Sequence, residues 1–286
     1  MILIFIYINL NKGYIMSQLN IGVSGCSGKM GKTLIELISN RQDCNIVSGL
    51  ETEKNPDIGK DLGKLIGSEN INGKVTFDRK IFFENSDIII DFSTPLSTLE
   101  NIKFAKKYGK GLVVGTTGLS EEIEQEIETA TKNIPIVYSA NMSIGINILL
   151  ELTNKLSYIL NKEDFDIEIL EMHHKHKVDA PSGTALALGK AAASGRKIEL
   201  SKNSEIVRDG INAKRKIGNI GFATLRGGSV TGEHSVLFAS DHEIIELKHK
   251  ADNRSLFAAG AIKAAIWLSK KENGLYSMKD VLDLKI

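Results

Sequence analysis

The chain has 286 residues, 42% of them hydrophobic, enough to bury one large core or two smaller ones. Lys+Arg 36 against Asp+Glu 35 leave a formal net charge of +1, which excludes a broad nucleic-acid-binding field and confines any basic site to a local cluster. Two cysteines, Cys26 and Cys44, exclude a disulfide-stapled scaffold and fit a reducing, cytoplasmic setting.

The apolar start, Met1 to Leu10, is too short to span a bilayer and lacks both a basic leader and a cleavage site, so neither a membrane anchor nor a signal peptide is expected. Residues 1–19 are read as an extension ahead of the fold, with Met16 as the first functional residue or, alternatively, a short amphipathic or disordered arm. Short β-branched runs then alternate with helical patterns from Asn20 onward: Ile21–Ser24, Asn45–Leu50, Asp87–Phe92, Leu112–Val114 and Ile134–Tyr138 read as strands of a parallel sheet buried on both faces. Met30, Leu34, Leu37 and Ile38 recur at helical spacing, and Ser120 with its following acids suits a helix start.

After Asn141 the pattern changes. Ile146 to Leu160 carries a long helical stripe, Phe165–Ile169 alternates as a half-buried strand, and Ile220–Arg226, Ser235–Phe238 and Glu243–Leu247 follow as strands without intervening helices, so a mixed or antiparallel sheet is expected. Lys197–Lys216 reads as a polar surface excursion, and Leu256–Leu268 as a helix that returns to the first domain. The expected fold is therefore α/β: a Rossmann-like domain at 20–141, joined by 254–286, and an α+β domain with a mixed open sheet at 142–253.

Gly25, Cys26, Ser27, Gly28, Lys29, Met30 and Gly31 follow the first strand and open the first helix, a glycine-spaced dinucleotide fingerprint in which backbone approaches a pyrophosphate. Glu51 falls at the end of the second strand, where an acid binds adenosine ribose hydroxyls. Two further loops, Gly115-Thr116-Thr117-Gly118 and Ser139-Ala140-Asn141-Met142, follow strands of the same sheet and should face the same cofactor. Pro95 begins a helix, and Met142, Phe222 and Trp267 are by default core residues.

The densest chemistry lies in His173-His174-Lys175-His176-Lys177, which gathers three of the six histidines beside two lysines. Neighbouring cations raise one another's cost of burial, whereas an anionic substrate and a proton transfer near neutrality would use them. Pro181-Ser182-Gly183-Thr184 leads into a strong helix former, so Ser182 or Gly183 caps it and free N–H groups there suit a carboxylate or phosphate. A zinc site on the histidines is disfavoured: no cysteine lies near and Lys175 and Lys177 would repel a cation.

The glycine turn, the Gly115 and Ser139 loops, Glu171-Met172 with the whole run from His173 to Ala185, Gly221 to Gly228, Gly232-Glu233-His234 and Trp267-Leu268 together resemble the dihydrodipicolinate reductase family, over everything from about Asn20 to the end. The resemblance implies reduction of the cyclic dicarboxylate 4-hydroxy-tetrahydrodipicolinate by a reduced nicotinamide with loss of water, in the diaminopimelate route to lysine, by a cytoplasmic homotetramer. It implies His173 as general acid/base, Lys177 as proton donor, His174, Gly183 and Thr184 as substrate contacts, and a reduced nicotinamide as cofactor. NADH is expected ahead of NADPH because the Glu51 charge opposes the extra phosphate and Thr52 has no charge to pair with it. Relatives often carry Phe at the position of Met142 and Arg at that of Thr52, and some carry Arg at that of Thr94, so the nicotinamide wall and the anion contacts are expected to differ here. Readings of other classes are a dinucleotide-sensing regulator and a dehydrogenase of amino-acid semialdehydes. No nucleic-acid or membrane partner is expected.

Overall fold

The computed structural model describes residues 18–211 and 213–284; residues 1–17, which hold most of the expected extension and Met16, lie outside the described residues. The first domain alternates strand and helix: β1 (Leu19–Ser24), α1 (Lys29–Ser39), β2 (Cys44–Leu50), α2 (Leu62–Leu65), β3 (Lys74–Thr76), α3 (Arg79–Asn85), β4 (Ile88–Asp91), α4 (Pro95–Tyr108), β5 (Gly111–Val114), α5 (Glu121–Ala130) and β6 (Pro135–Tyr138). The second holds α6 (Ile144–Ile159), β7 (Asp166–His173), α7 (Gly183–Arg196), α8 (Leu200–Asn203), β8 (Ser204–Glu205), β9 (Ile220–Arg226), β10 (Glu233–Ala239) and β11 (Ile244–Lys250). The chain then runs through α9 (Ser255–Leu268), β12 (Gly274–Tyr276) and α10 (Met278–Val281).

Seven strands form one parallel sheet in the order β12-β6-β5-β4-β1-β2-β3. The chain leaves β1 toward β2 and β3 and returns to pair β4 on the other side of β1. That reversal opens a crevice at the carboxyl ends of β1 and β4, where ligands of open α/β sheets bind. One core, with Ile21, Val23, Leu34 and Ile38, packs with α9 residues Ala258, Ala261 and Leu268; another, with Phe82, Phe83, Ile89 and Ile127, fills the opposite face. Strands covered on both faces have no polar side to show, which is why β4 and β5 are buried at every position. α9 packs on the first core through Ala258, Ala261 and Leu268, and β12 extends the sheet beside β6.

The second sheet runs β11-β10-β7-β9-β8, with β7 antiparallel to β10 and parallel to β9. Ile167, Ile169, Phe222, Val236 and Phe238 face inward against α6 and α7. Three sequence expectations change. β1 begins at Leu19, which pairs with Cys44, so the fold starts inside the segment read as an extension. The stretch from 197 to 216 is not a bare excursion: α8 and β8 lie in it, and Arg208 and Arg215 both reach Glu168 on β7, so its polarity is spent on ion pairs. β7 continues four residues past Ile169, carrying Glu171 and His173 inward in positions where the alternation predicts apolar side chains.

Candidate active site

α1 starts on the glycine turn, and each glycine has a reason. Gly25 has φ +79, and a Cβ there would meet the Phe92 carbonyl oxygen at 2.5 Å. A Cβ at Gly31 would lie 2.2 Å from the Gly25 oxygen, so glycine lets the helix sit against the turn. N-cap Gly28 supplies no side-chain cap, which leaves first-turn N–H groups for an anion. The Cys26 side chain is fully buried, with its thiol pushed up to about 12 by burial and by the Glu51 charge, so only its backbone can serve a ligand. Glu51 stands one residue beyond β2, and its Oε1 accepts the Ser27 N–H at 2.9 Å, so the acid is tied to the turn it serves.

The neighbouring loops hang from Asp91 at the end of β4. Its buried carboxyl accepts from Ser93 N at 3.1 Å, Ser93 Oγ at 2.5 Å and Asn101 Nδ2 at 3.0 Å. Burial pushes the carboxyl up against those hydrogen bonds. Thr116 Oγ1 accepts from Ser93 N at 3.1 Å, which turns this side chain inward and leaves its backbone to face the crevice. Thr117 and Gly118 are exposed, and a Cβ at Gly118 would meet nothing within 4 Å. In the third loop Ser139 Oγ donates to the Asn141 carbonyl at 2.8 Å, and Ala140 is exposed. Met142 is 1% exposed and belongs to the first core, so the side chain expected as a nicotinamide wall packs inward while its backbone stays at the loop. Thr94 caps α4 by accepting from Ser97 N, and Pro95 is the first helical residue, as expected.

In the second domain, Glu171 and His173 lie two residues apart on β7 and so share a face. His173 Nδ1 and Glu171 Oε2 are 2.6 Å apart. Arg226 of β9 grips the same carboxylate with Nη1 on Oε2 at 2.8 Å and Nη2 on Oε1 at 2.9 Å, and Ser182 N donates to Oε1 at 3.0 Å. Burial alone would raise the Glu171 carboxyl, but Arg226, His173 and the Ser182 N–H outweigh it and hold it below the ordinary carboxylate range.

Ser182 is the N-cap of α7; its Oγ accepts from Ala185 N at 3.2 Å and lies 3.1 Å from His234 Nε2. Gly183 is exposed at the first helical position, with open space where a Cβ would be. Burial, with the neighbouring His173 second, pushes His234 down to about 4, so it is neutral at pH 7. Lys177 Nζ pairs with Asp179 at 2.8 Å on the exposed turn between β7 and α7, where His174 is half-buried. Asn141 Nδ2 donates to Thr184 Oγ1 at 3.3 Å, joining the loop after β6 to the first turn of α7. The structure thus brings the three loops expected to face a cofactor to the carboxyl end of the parallel sheet, and Thr184 at the start of α7 to one of them.

Sequence reading missed Glu171 as a functional residue, along with Arg226 and His234. The available signal was the acid at an inward position of an alternating strand. Among the described residues no group of His, Cys, Asp and Glu is arranged to hold a metal ion.

A glycine-turn Rossmann half facing a second domain with a carboxylate–imidazole pair defines the class: a two-domain dinucleotide-dependent oxidoreductase. The family described as Dihydrodipicolinate reductase, N-terminus, matches residues 19–142, and Dihydrodipicolinate reductase, C-terminus, matches residues 145–282. A 4-hydroxy-tetrahydrodipicolinate reductase of Brucella melitensis biotype 1 is 48% identical over 262 residues, covering 92% of this chain and 98% of its own length. The 4-hydroxy-tetrahydrodipicolinate reductase 1 of Mesorhizobium japonicum is also 48% identical, covering 92% of this chain and 96% of its own length. The chain belongs to the dihydrodipicolinate reductase family. A solved dipicolinate-bound dihydrodipicolinate reductase from Paenisporosarcina sp. TG-14 superposes with TM-score 0.73 at 21% identity, covering 91% of this chain and 97% of that one, a likeness of fold.

Proposed function

We propose that this chain catalyses the NAD(P)H-dependent reduction of 4-hydroxy-tetrahydrodipicolinate to tetrahydrodipicolinate with loss of water, in the diaminopimelate route to lysine. In this reading residues 20–141 with 254–286 bind the dinucleotide, and 142–253 bind the substrate. The observation that carries it is the ionised Glu171 against His173 Nδ1, on the strand that precedes the N-terminus of α7.

The residues present fit the cofactor. First-turn N–H groups of α1 would hold the pyrophosphate, Glu51 the adenosine ribose, and backbone of Gly115, Thr116, Thr117, Ser139, Ala140, Asn141 and Met142 the nicotinamide side. When bound, the reduced nicotinamide supplies a hydride. The chain's own residues bind, orient and protonate. Gly183 and Thr184 take one substrate carboxylate at the positive end of α7, and His174 and Lys177 lie on the turn before it. His173 serves as general acid/base through Nε2, and Lys177, released from Asp179, donates a proton to the reduced ring. A regulator that only sensed dinucleotide would have no use for a buried carboxylate beneath an imidazole.

NADH is preferred over NADPH in this reading, because Glu51 has no arginine beside it. The working form is a cytoplasmic homotetramer built through the outer face of the second sheet, where Leu170, Leu225 and Ile244 are exposed. No helix among the described residues is long and apolar enough to cross a membrane.

The decisive experiment supplies the condensation product of pyruvate and aspartate semialdehyde and follows NADH absorbance. Rapid loss of absorbance is expected; none at any substrate concentration would reject the assignment.

A further inference from the structure

We propose that Glu171, held by Arg226, is the positioning residue that fixes the working tautomer of His173. The inference rests on the assignment of His173 as the proton-transfer group and adds what makes it competent. Glu171 is 1% exposed, and every acceptor position of its carboxylate is matched by a donor: Ser182 N and Arg226 Nη2 on Oε1, with Thr224 Oγ1 at 3.4 Å, and Arg226 Nη1 and His173 Nδ1 on Oε2. An ionised carboxylate only accepts, so the contact at 2.6 Å requires the proton to sit on Nδ1. Nε2 is then the nitrogen free to exchange a proton with a ligand.

The surroundings keep that arrangement. A methyl at Gly232 would come within 3.0 Å of His173 Nε2, so glycine there leaves the nitrogen clear. The His234 ring stands edge-on at 5.1 Å and is committed to Ser182, so it does not compete for Glu171. Arg226 is itself anchored, with Nη2 donating to the Asp179 carbonyl at 2.7 Å and Nη1 to the Leu225 carbonyl at 2.7 Å. The fork is planar and bidentate, so the carboxylate it grips cannot rotate away from the imidazole.

An amide cannot reproduce this. A glutamine at 171 that keeps its oxygen toward Ser182 N and Arg226 Nη2 presents an NH2 group to His173. The imidazole must then accept at Nδ1 and carry its proton on Nε2, the opposite tautomer. Acid-to-amide replacement beneath a catalytic histidine costs about 10⁴-fold in turnover where the wrong tautomer results.

The test uses the full chain, with ring ¹⁵N shifts of His173 assigned by its loss in His173→Gln. Wild type is expected to carry the proton on Nδ1, and an Nε2–H wild type overturns the proposal whether or not any Glu171 variant folds. Glu171→Gln is expected to lose about 10²–10⁴-fold in kcat, to bind NADH as wild type does and to move the ring proton to Nε2. Retained turnover in Glu171→Gln, with His173→Gln inactive, overturns the positioning role alone. Retained turnover in His173→Gln removes the underlying assignment and this proposal together.

Discussion

Asn141 and Thr184 meet across the two domains, the amide of one donating to the hydroxyl of the other at 3.3 Å. A hydroxyl that accepts from Asn141 has its own proton to give, and Thr184 lies in the first turn of α7, at the positive end of that helix. Thr184→Val keeps the branched shape and removes both bonds. A hydrogen bond to a charged group is worth about 1.5–3 kcal/mol, so KM for the dicarboxylate should rise about 10–100-fold while NADH affinity holds. Steady-state kinetics with direct NADH titration separates the two, and an unchanged KM would take Thr184 out of substrate binding.

His173→Gln and Lys177→Ala should each cut turnover by about 10²–10⁴-fold, the usual cost of losing a positioned proton donor. Both side chains belong to the second domain, and the dinucleotide turn to the first, so cofactor affinity should be unaffected. Lys177 begins in an ion pair with exposed Asp179, which must open for the lysine to reach a ring. Asp179→Asn should therefore leave turnover nearly intact, whereas Lys177→Ala does not. A loss as deep in Asp179→Asn would reassign the pair as the working unit.

How far the site was legible depends on which forces wrote it. The glycine turn, Glu51, the two strand-end loops and the Ser182 cap are local devices, each set by backbone conformation within a few residues, and they read directly from the chain. Glu171 was hidden because its role depends on Arg226, 55 residues away on a strand that pairs beside β7. His234 meets Ser182 from a third strand. The Lys197–Lys216 stretch looked like solvated loop for the same reason: Arg208 and Arg215 have Glu168 as a partner only after the sheet has formed. Met142, read by default as core, does send its side chain into the first core, so only its backbone stays at the loop after β6.

Buried His234 predicts a pH dependence of stability. Its folded pKa is pushed down to about 4 by burial, with His173, His249 and Lys177 acting in the same direction and Glu171 opposing. The unfolded imidazole titrates near about 6.5, so between these values the unfolded chain binds the proton and the native state does not. The contribution is fully present above about pH 6.5 and is lost as pH falls toward 4, by about 3 kcal/mol. Urea denaturation of wild type and His234→Leu, at pH 7 and about pH 4.5, isolates this group from the salt-bridged carboxylates common to both. The leucine variant should lose less stability on acidification; equal losses would mean that His234 is charged in the fold.

Cofactor choice turns on Glu51 and its neighbour Thr52. The Glu51 carboxylate is tied to the phosphate turn through Ser27 N–H at 2.9 Å, so its charge stands where a ribose diol would dock and where the extra phosphate of NADPH would be repelled. Thr52 is exposed and offers no charge; its carbonyl accepts from Asn55 N at 2.9 Å in a turn that also carries Glu53 and Lys54. Lys54 and Lys29 supply point charges, and neither matches the planar fork an arginine would present to a phosphate. NADH should therefore give the higher kcat/KM. Thr52→Arg adds a fork at a solvent-facing position without disturbing the turn, and a charge-assisted contact of about 1.5–3 kcal/mol should move the ratio toward NADPH by about 10–100-fold. Measuring kcat/KM for both cofactors in both proteins decides it. A wild-type preference for NADPH would overturn the role given to Glu51 and assign the phosphate to Lys54 and Lys29.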